Sequence, residues 1–250
     1  YFFDLKYLGE FTQSTVFYND NKWSLDSLDL EILGNIYIFC LIRPLYLKCL
    51  DEQEKLNESQ LSLDDYQNMD PGKIVALDEN ILLEFKQSAY WDEEIPTMEK
   101  VLKDKEFQHY KAERHRLIRD QILKAICGMH NSEGGVLIIG VKDDPKEVTG
   151  IEVDMNNYEA ISTTSGYREW IVNIVQDHIE EKLSGNIEIK IDHLNSKKIA
   201  RINIPKRSNS ENSPCETTYG KEKIIFKRAD ERTNKIDQTD VLKEFKDRFN

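Results

Sequence analysis

Long hydrophobic runs are absent from this chain of 250 residues. The longest, at residues 36–42, has seven members, whereas a membrane-spanning helix needs roughly 20, so no membrane span is predicted within the sequence. The chain has four cysteines and five histidines, with no CxxC pair and no zinc-ligand spacing among them. These cysteines favour reduced, buried thiols in an intracellular, cytoplasmic protein.

Positive charge is also scarce. The chain has 46 Asp and Glu against 34 Lys and Arg, which gives a net charge of −12. This sign argues at first against a nucleic-acid partner, but net charge does not say where the cations lie. Half of the net charge, −6, belongs to residues 51–70, a stretch that is also rich in Ser, Asn and Gln. Such a composition predicts a solvated acidic loop.

The order of hydrophobic patterns predicts an α+β fold, a mixed sheet with flanking helices. Apolar side chains recur at helical spacing in residues 111–130 and 170–179. A final helix is predicted to start at Asp237 or Thr239. Strands are predicted at residues 80–87, 136–141, 150–153, 187–192, 199–204 and 223–228, with turns at 143–149 and 195–196.

The chain is predicted to have two parts. Residues 1–72 form a β-rich extension that includes the acidic loop at 51–70, and residues 73–250 form the domain that carries the motifs. The extension is rich in aromatic and β-branched residues but has no motif with chemistry. It is therefore interpreted as an interface.

Three acidic residues stand next to predicted strands: Glu79, Glu84 and Asp143. Carboxylates at the ends of adjoining strands are suitable ligands for Mg²⁺ or Mn²⁺, and such an ion can stabilise charge on a phosphodiester. Residues five apart in a regular strand point to opposite faces, so Glu79 joins Glu84 only if it precedes the strand or lies beside a bulge. Solvated surface carboxylates are the alternative.

The segment HNSEGG at residues 130–135 precedes the apolar run VLIIGV. Its paired glycines can end a helix in a left-handed conformation and allow close backbone approach where the strand starts. A helix cap and a phosphate-cradling loop are both open interpretations. It is not a nucleotide P-loop, because GxxxxGK[ST] is missing from the chain.

Cations are concentrated in two segments. Residues 197–228 contain nine Lys and Arg against three Glu, and residues 100–119 contain further Lys and Arg residues. Local neutralisation is enough to bind a phosphate backbone, so an acidic protein with basic segments can bind RNA. A charged, solvated edge strand is the alternative.

Taken in order, these motifs resemble the Schlafen/AlbA_2 domain family. The resemblance rests on ENILLEFK at residues 79–86, HNSEGG, VLIIGVKDD and VTGI at 148–151. The segments IPKRSNSENSPC and IIFKRADERTNK are similar to the family's last loop, terminal strand and turn. The resemblance covers residues 73–250 and implies a single Schlafen core or AlbA_2-like lobe.

The resemblance implies a metal-dependent endoribonuclease, or the catalytic subunit of one, that cleaves tRNA or small-RNA precursors such as piRNA precursors. Glu79, Glu84 and Asp143 match the family's three acidic residues and would be catalytic and hold one or two Mg²⁺ or Mn²⁺ ions. Lys142 stands where the family often has an acidic residue, so Asp144 remains an alternative to Asp143.

The resemblance also implies how RNA is bound. Lys86 would contact the scissile phosphate, or else pair with a site carboxylate. The family often has two lobes and this chain has one, so a second lobe is expected from homo- or hetero-oligomerisation. Only His193 and Cys215 lie where many members bind zinc, so no zinc site is predicted. The RNA backbone would be held by Arg201, Lys206, Arg207, Lys227 and Arg228.

Two other functions remain open at this stage. One is a non-catalytic nucleic-acid-binding or regulatory AlbA_2 module. The other is a structural subunit that completes the active site of another chain in a Schlafen-like nuclease complex.

Overall fold

The computed structural model describes residues 16–18, 21–23, 61–179, 183–208, 214–237 and 240–241. The chain divides into two compact units, Tyr1–Leu61 and Ser62–Asn250. In the first unit, β1 (Val16–Tyr18) pairs antiparallel with β2 (Asn21–Trp23). The longest hydrophobic run, at residues 36–42, and the body of the predicted final helix lie outside the described residues.

The second unit alternates helices and strands. Among the described residues, no helix combines the length and apolar composition needed to cross a membrane. Its helices are α1 (Leu63–Asn68), α2 (Pro71–Ala76), α3 (Ile95–Glu99), α4 (Asp104–His130), α5 (Glu152–Asn157) and α6 (Thr164–His178). Its strands are β3 (Leu83–Lys86), β4 (Gly135–Ile139), β5 (Val141–Lys142), β6 (Glu147–Val148), β7 (Glu188–Leu194), β8 (Lys197–Ile204), β9 (Glu216–Tyr219), β10 (Glu222–Ala229) and β11 (Arg232–Ile236).

Two sheets sandwich the long helix α4. The first has the order β3, β4, β8, β7, in which β3 is parallel to β4 and the other pairs are antiparallel. The second has the order β11, β10, β9. Helix α4 contacts strands of both sheets and buries Ile122, Leu123, Ile126 and Met129. The predicted α+β class with a mixed sheet is confirmed.

The turn between β7 and β8 shows local sequence deciding backbone geometry. Asn195 and Ser196 both have positive φ, 51° and 63°, the pattern of the two-residue turn that matches the twist of paired strands. The predicted hairpin of β7 and β8, joined by this turn, is confirmed. The structure also adds β9 and β11, which the sequence patterns did not indicate.

The acidic segment at residues 51–70 is not a loop throughout. Ser62 caps α1 by accepting from the Asp65 N–H, and Asp65 reaches back to the Ser62 N–H at 2.8 Å. Tyr66 then turns inward and is buried. The loop prediction is therefore wrong for residues 63–68, because a capping box and one buried aromatic side chain outweigh the polar composition. The predicted domain boundary, between residues 72 and 73, falls inside α2.

A strand predicted at residues 150–153 is wrong, because the helix α5 starts at Glu152. Asp154 of this helix is buried and accepts hydrogen bonds from the Ala89 N–H at 3.0 Å, the Trp91 N–H at 2.9 Å and the Tyr167 hydroxyl at 2.9 Å. These partners lie far from Asp154 in sequence or on another helix. Tertiary contacts of this kind override a short strand-like pattern.

The HNSEGG segment ends α4 and starts β4. Gly134 has φ +76°, and an added Cβ there would lie 2.7 Å from the backbone nitrogen of Lys206. At Gly135 an added Cβ would lie 2.6 Å from the Met129 sulfur. The predicted close backbone approach is confirmed at Gly134. The predicted left-handed helix end is not, because Asn131, which caps the end of α4, has a right-handed conformation and the left-handed residue is Gly134, later in the connection.

Asn131 and Ser132 of the same segment join α4 to the second sheet. The Asn131 amide donates to the Cys215 and Phe226 carbonyl oxygens, both at 2.8 Å, and its oxygen accepts from the Cys215 N–H at 2.8 Å. The Ser132 hydroxyl donates to the Arg228 carbonyl and accepts from the Arg228 N–H, each at 2.8 Å. The segment is thus a structural junction, as the helix-cap interpretation partly foresaw.

Replacing Asn131 should strongly destabilise the fold. Asn131→Ala removes three buried hydrogen bonds to the backbones of Cys215 and Phe226, which we expect to cost about 2–4 kcal/mol of the free energy of unfolding. Urea denaturation measures it. Asn157→Ala is the matched control, because the exposed Asn157 makes one local bond to the Val153 carbonyl. Equal stability of the two variants would contradict the junction.

Candidate functional site

The first candidate ligand, Glu79, lies at the open edge of the first sheet. β3 is an edge strand, and the chain enters it through a tight turn in which the Asn80 and Leu83 backbones bond each other at 3.0 and 3.3 Å. Glu79 therefore precedes the strand, the condition that the five-residue spacing requires. Its Oε1 accepts from the Phe85 N–H at 2.7 Å, a group on the edge of β3 that no strand in the described part of the chain covers.

The second candidate ligand, Glu84, is buried and has cations at both oxygens. Its Oε2 accepts from the Arg228 guanidinium, and its Oε1 lies 2.5 Å from the Lys86 ammonium. Lys86 also donates to the Phe85 carbonyl at 3.0 Å. The predicted placement of Lys86 on the same strand face as Glu84 agrees with these contacts.

The third candidate, Asp143, lies in the turn between β5 and β6. Its Oδ1 is 2.6 Å from the Lys146 ammonium, and that ammonium lies 4.0 Å from the centroid of the Phe85 ring. Asp144, the alternative, is exposed and makes no hydrogen bond or ion pair within the described part of the chain. Phe85 therefore has Glu79 on its backbone and the Asp143–Lys146 pair on its ring.

Electrostatics link the three carboxylates. The pKa of Glu79 is raised, and burial of its carboxyl group is the largest cause. The charges of Glu84 and Asp143 raise this pKa further, while the Phe85 N–H and the charge of Lys86 lower it. Glu79 therefore lies within electrostatic range of Glu84, Asp143 and Lys86. The three carboxylates are nevertheless not grouped at metal-binding distance among the described residues.

The donor chemistry of this neighbourhood fits a hard divalent cation. Carboxylate oxygens are what Mg²⁺ and Mn²⁺ prefer. Each carboxylate has one oxygen held by the protein, through the Phe85 N–H, Arg228 and Lys146 respectively. In the observed rotamers, no three His, Cys, Asp or Glu side chains of the described residues are grouped closely enough to hold a metal ion. Binding would therefore require the Lys86 ammonium to leave Glu84.

Arg228 is part of the interior and not of an RNA-binding surface. Its side chain is 1% exposed and donates to the Asn80 carbonyl at 2.8 Å and the Leu83 carbonyl at 2.9 Å, in addition to Glu84. This placement disagrees with the predicted contact to RNA. The charge pattern pointed to the surface, whereas the guanidinium fixes the turn before β3.

Arg201 and Arg207 are buried too. Arg201 pairs with Asp192 at 2.7 Å and donates to the Met69 carbonyl at 2.8 Å, so it ties β7 and β8 to the end of α1. Arg207 is 4% exposed, and its backbone N–H donates to the His130 carbonyl at 3.0 Å. The predicted RNA contacts disagree with this burial, since buried cations hold internal partners.

Lysines remain at the surface among the predicted RNA-binding residues. Lys206 is about half exposed and pairs with Glu133, and Lys227 is partly exposed. In the second basic segment, the arginines are held by carboxylates: Arg114 by Asp92, Arg116 by Glu113 and Asp120, and Arg119 by Asp120. Lys86, Lys206 and Lys227 are therefore the accessible members of the predicted set.

Sequence reasoning missed two contributors to the site. Lys146 is an ordinary turn residue in sequence, although its position three residues after Asp143 is a spacing at which opposite charges can meet in a turn. Phe85 acts through its backbone and its ring face, and neither use has a sequence signal. Cys215 lies in the junction of α4 with the second sheet, and His193 is on β7.

Comparison with known proteins agrees with the motifs. The family model described as "Schlafen, AlbA_2" matches residues 79–237. No curated protein matches the chain. Among solved structures, the DIP2311 protein from Corynebacterium diphtheriae matches 52% of this chain and 22% of its own, with 14% identity and a TM-score of 0.37. That overlap does not establish a shared fold.

Breaking the Arg228–Glu84 pair should be costly. Arg228→Met leaves the buried Glu84 carboxylate and two backbone carbonyls without their main donor, and we expect a loss of about 3–5 kcal/mol in the free energy of unfolding. Lys206→Met is the control, because its exposed pair with Glu133 is worth at most about 1 kcal/mol. Chemical denaturation of both variants measures the difference. Similar losses would show that the pair is not a structural centre.

The raised pKa of Glu79 predicts a pH dependence of stability. A carboxyl whose pKa is raised on folding stabilises the fold below its ordinary value of 4.5, and this contribution is lost as pH rises through the raised value. Glu79→Gln keeps an oxygen for the Phe85 N–H and has no charge, so its stability relative to wild type should increase over that interval. Denaturation between roughly pH 4 and pH 7 tests this. Glu147→Gln, an exposed change in β6, should show no such trend.

Proposed function

Because the chain belongs to the Schlafen AlbA_2 family, we propose that it is a metal-dependent endoribonuclease, or the catalytic subunit of one. Its proposed substrates are tRNA or small-RNA precursors, piRNA precursors among them. The observation that supports this proposal is that the charges of Glu84, Asp143 and Lys86 all act on Glu79, beside β3, which is an edge strand among the described residues. Asp143 acts on Glu79 from the turn between β5 and β6, which is distant from Glu79 and Glu84 in sequence.

Glu79, Glu84 and Asp143 would hold one Mg²⁺ or Mn²⁺ ion. Glu79 and Asp143 each have one oxygen held by the protein, whereas Glu84 has one oxygen on Arg228 and the other on Lys86. One oxygen from each side chain would face a single ion only after the Lys86 ammonium leaves Glu84. When bound, the ion supplies Lewis-acid stabilisation of the phosphoryl oxygens and a more acidic water or hydroxyl. The fixed oxygens keep the ligands oriented.

Lys86 has a defined part in this proposal. Its ammonium lies against Glu84 and would exchange that carboxylate for a non-bridging oxygen of the scissile phosphate. The stem of Lys86 stays on β3, so the movement needs only side-chain rotation. A positioned cation at this point stabilises the charge that develops on phosphorus.

RNA would approach along surface lysines. Lys206 and Lys227 belong to the basic segment and are reachable by solvent. Such contacts neutralise phosphates without reading bases. We further propose that a second Schlafen-like lobe, from another copy or another chain, completes the groove.

A specific observation also favours the non-catalytic alternative. Both oxygens of Glu84 already hold cations, as they would in a purely structural ion network. In that case the chain would be a nucleic-acid-binding or regulatory module. It would bind RNA in a salt-dependent manner and would not cleave it with any metal.

Neighbouring aspartates separate the two functions. Asp143→Asn should lower Mn²⁺-dependent cleavage of tRNA and of short single-stranded RNAs by more than the roughly 100-fold that loss of an indirect partner costs. Asp144→Asn, the same change one residue on, should retain activity. Glu84→Gln is preferable to Glu84→Ala, because the alanine would leave the buried Arg228 guanidinium without its carboxylate partner.

Gel-based cleavage assays, with EDTA as the metal-free reference and RNA binding measured in parallel, report on both functions. Salt-sensitive binding without cleavage by wild-type protein and its partners would establish the binding module instead. Equal activity of the two aspartate variants would remove Asp143 from the site.

A further inference from the structure

Strand β7 is the longer of the two edge strands of the first sheet. It has seven residues, contains no proline or glycine, and keeps a continuous register with β8 from Glu188 to Leu194. At the other edge of the sheet, the Glu79 carboxylate occupies the outward Phe85 N–H of β3. No strand of the described residues pairs with the outer side of β7. A long, regular edge of this kind is a template for pairing with another chain.

The hairpin turn determines which backbone groups of β7 point outward. A two-residue turn is closed by a hydrogen-bonded pair, here Leu194 and Lys197. Because bonded and non-bonded pairs alternate along antiparallel strands, the backbone of Lys198 faces away from β7. The Ile151 N–H agrees with this geometry, since it donates to the Lys198 carbonyl at 2.8 Å from outside the hairpin.

The same alternation produces a row of outward backbone groups on β7. The N–H and C=O groups of Ile189, Ile191 and His193 point to the outer edge, where they have no backbone partner within the described part of the chain. The side chains of Ile189 and Ile191 pack against the core and are only partly buried. The edge therefore offers hydrogen-bonding groups and apolar surface together.

The charges on β7 favour a second copy of this chain as the partner. Two copies related by a twofold axis perpendicular to the sheet would pair antiparallel about one central residue. With Ile191, the middle residue of β7, at the centre, Lys190 of each copy lies directly opposite Asp192 of the other. With Lys190 or Asp192 at the centre, like charges face each other instead. Directly opposed charges stabilise strand pairing when their signs differ and destabilise it when they are equal.

We propose that β7 is a self-association surface, through which two copies join their four-stranded sheets into one continuous sheet. Ile191 pairs with Ile191 of the second copy, and Ile189 pairs with His193, which gives about six new backbone hydrogen bonds. The partly buried isoleucines pack against each other across the axis. The inference is independent of the proposed function, because β3 lies at the opposite edge of the sheet. The two β3 strands would be about 34 Å apart, with both of their outer edges still open.

A protected edge is the alternative interpretation, since lysine on an edge strand often prevents pairing. Within the chain, Lys190 pairs with Glu188 at 3.0 Å and Asp192 pairs with Arg201 at 2.7 Å. The side chains of Lys190 and Asp192 are nevertheless 40% and 20% exposed, so both can be reached from outside. A protected edge repels its own copy, whereas this strand has attractive charges in the register that pairs its full length.

Sedimentation equilibrium of the full chain over a range of concentrations measures the association. We expect a concentration-dependent dimer. Lys190→Glu makes both attractive contacts repulsive, so it should weaken the dimer by about 10- to 100-fold. Lys105→Glu is the matched control, because it makes the same change of charge at an exposed residue of α4 and should leave the dimer unchanged. Melting temperatures of the variants identify any loss of folding.

A cross-link tests the register. In the proposed pairing, the two Ile191 Cα atoms are about 5.5 Å apart, a separation that a disulfide spans. Ile191→Cys should therefore form a covalent dimer under mild oxidation, visible on a non-reducing gel beside the wild-type chain. Ile189→Cys is the control on the same face of the same strand. Its two copies would be more than about 13 Å apart and should not cross-link.

The outcomes decide the inference without reference to RNA or metal. A dimer that Lys190→Glu weakens and that Ile191→Cys cross-links supports self-association through β7. A monomer at every concentration overturns it, and protection of the Ile191 amide from hydrogen exchange would then show that another segment of the chain covers the edge. A dimer that is insensitive to Lys190→Glu, or that Ile191→Cys does not cross-link, also overturns it, because the copies then meet elsewhere.

Discussion

The buried pair between Arg228 and Glu84 is the constraint on which the rest of the site depends. It joins β10 of the second sheet to β3, the edge of the first, across 144 residues of sequence. The same guanidinium fixes the turn that carries Glu79 through the Asn80 and Leu83 carbonyls, while the backbone of Arg228 is held by Ser132 at the end of α4. Burial of two charges is not in itself stabilising, because their desolvation cancels much of their attraction. What the pair contributes is a defined position for β3 relative to α4 and the second sheet.

This arrangement explains how one carboxylate can serve both the fold and the proposed chemistry. Arg228 occupies one oxygen of Glu84, and the Lys86 ammonium pairs with the other. An edge strand is suitable for such a site, because its outward N–H groups have no strand partner. At Phe85 that free N–H orients Glu79, so a feature that often invites aggregation here holds a candidate ligand.

Much of this fold could be predicted where local pattern and burial agree. The helical spacing of α4, the apolar run of β4 and the turn at Asn195 and Ser196 each follow from residues close in sequence. The position of Glu79 before the strand could also be predicted, because strand geometry allows Glu79 to approach Glu84 only from outside the strand. The burial of Arg201 and Arg228 could not be predicted, since a charge count does not distinguish a guanidinium that faces solvent from one that donates to backbone carbonyls. The helix α5 depends on the distant partners of Asp154, which no local pattern reveals.

The charge of the site matters more for an RNA partner than the charge of the chain. The net charge of −12 suggests repulsion of a polyanion, yet exposed charges separated by more than about 8–10 Å are largely screened at physiological salt. Around the edge of β3, the three carboxylates of Glu79, Glu84 and Asp143 meet three cations, Lys86, Lys146 and Arg228. Their formal charges cancel, so a phosphate that reaches this edge meets no net local repulsion. The proposed binding of RNA at this edge would depend on this local balance more than on the acidic residues at 51–70.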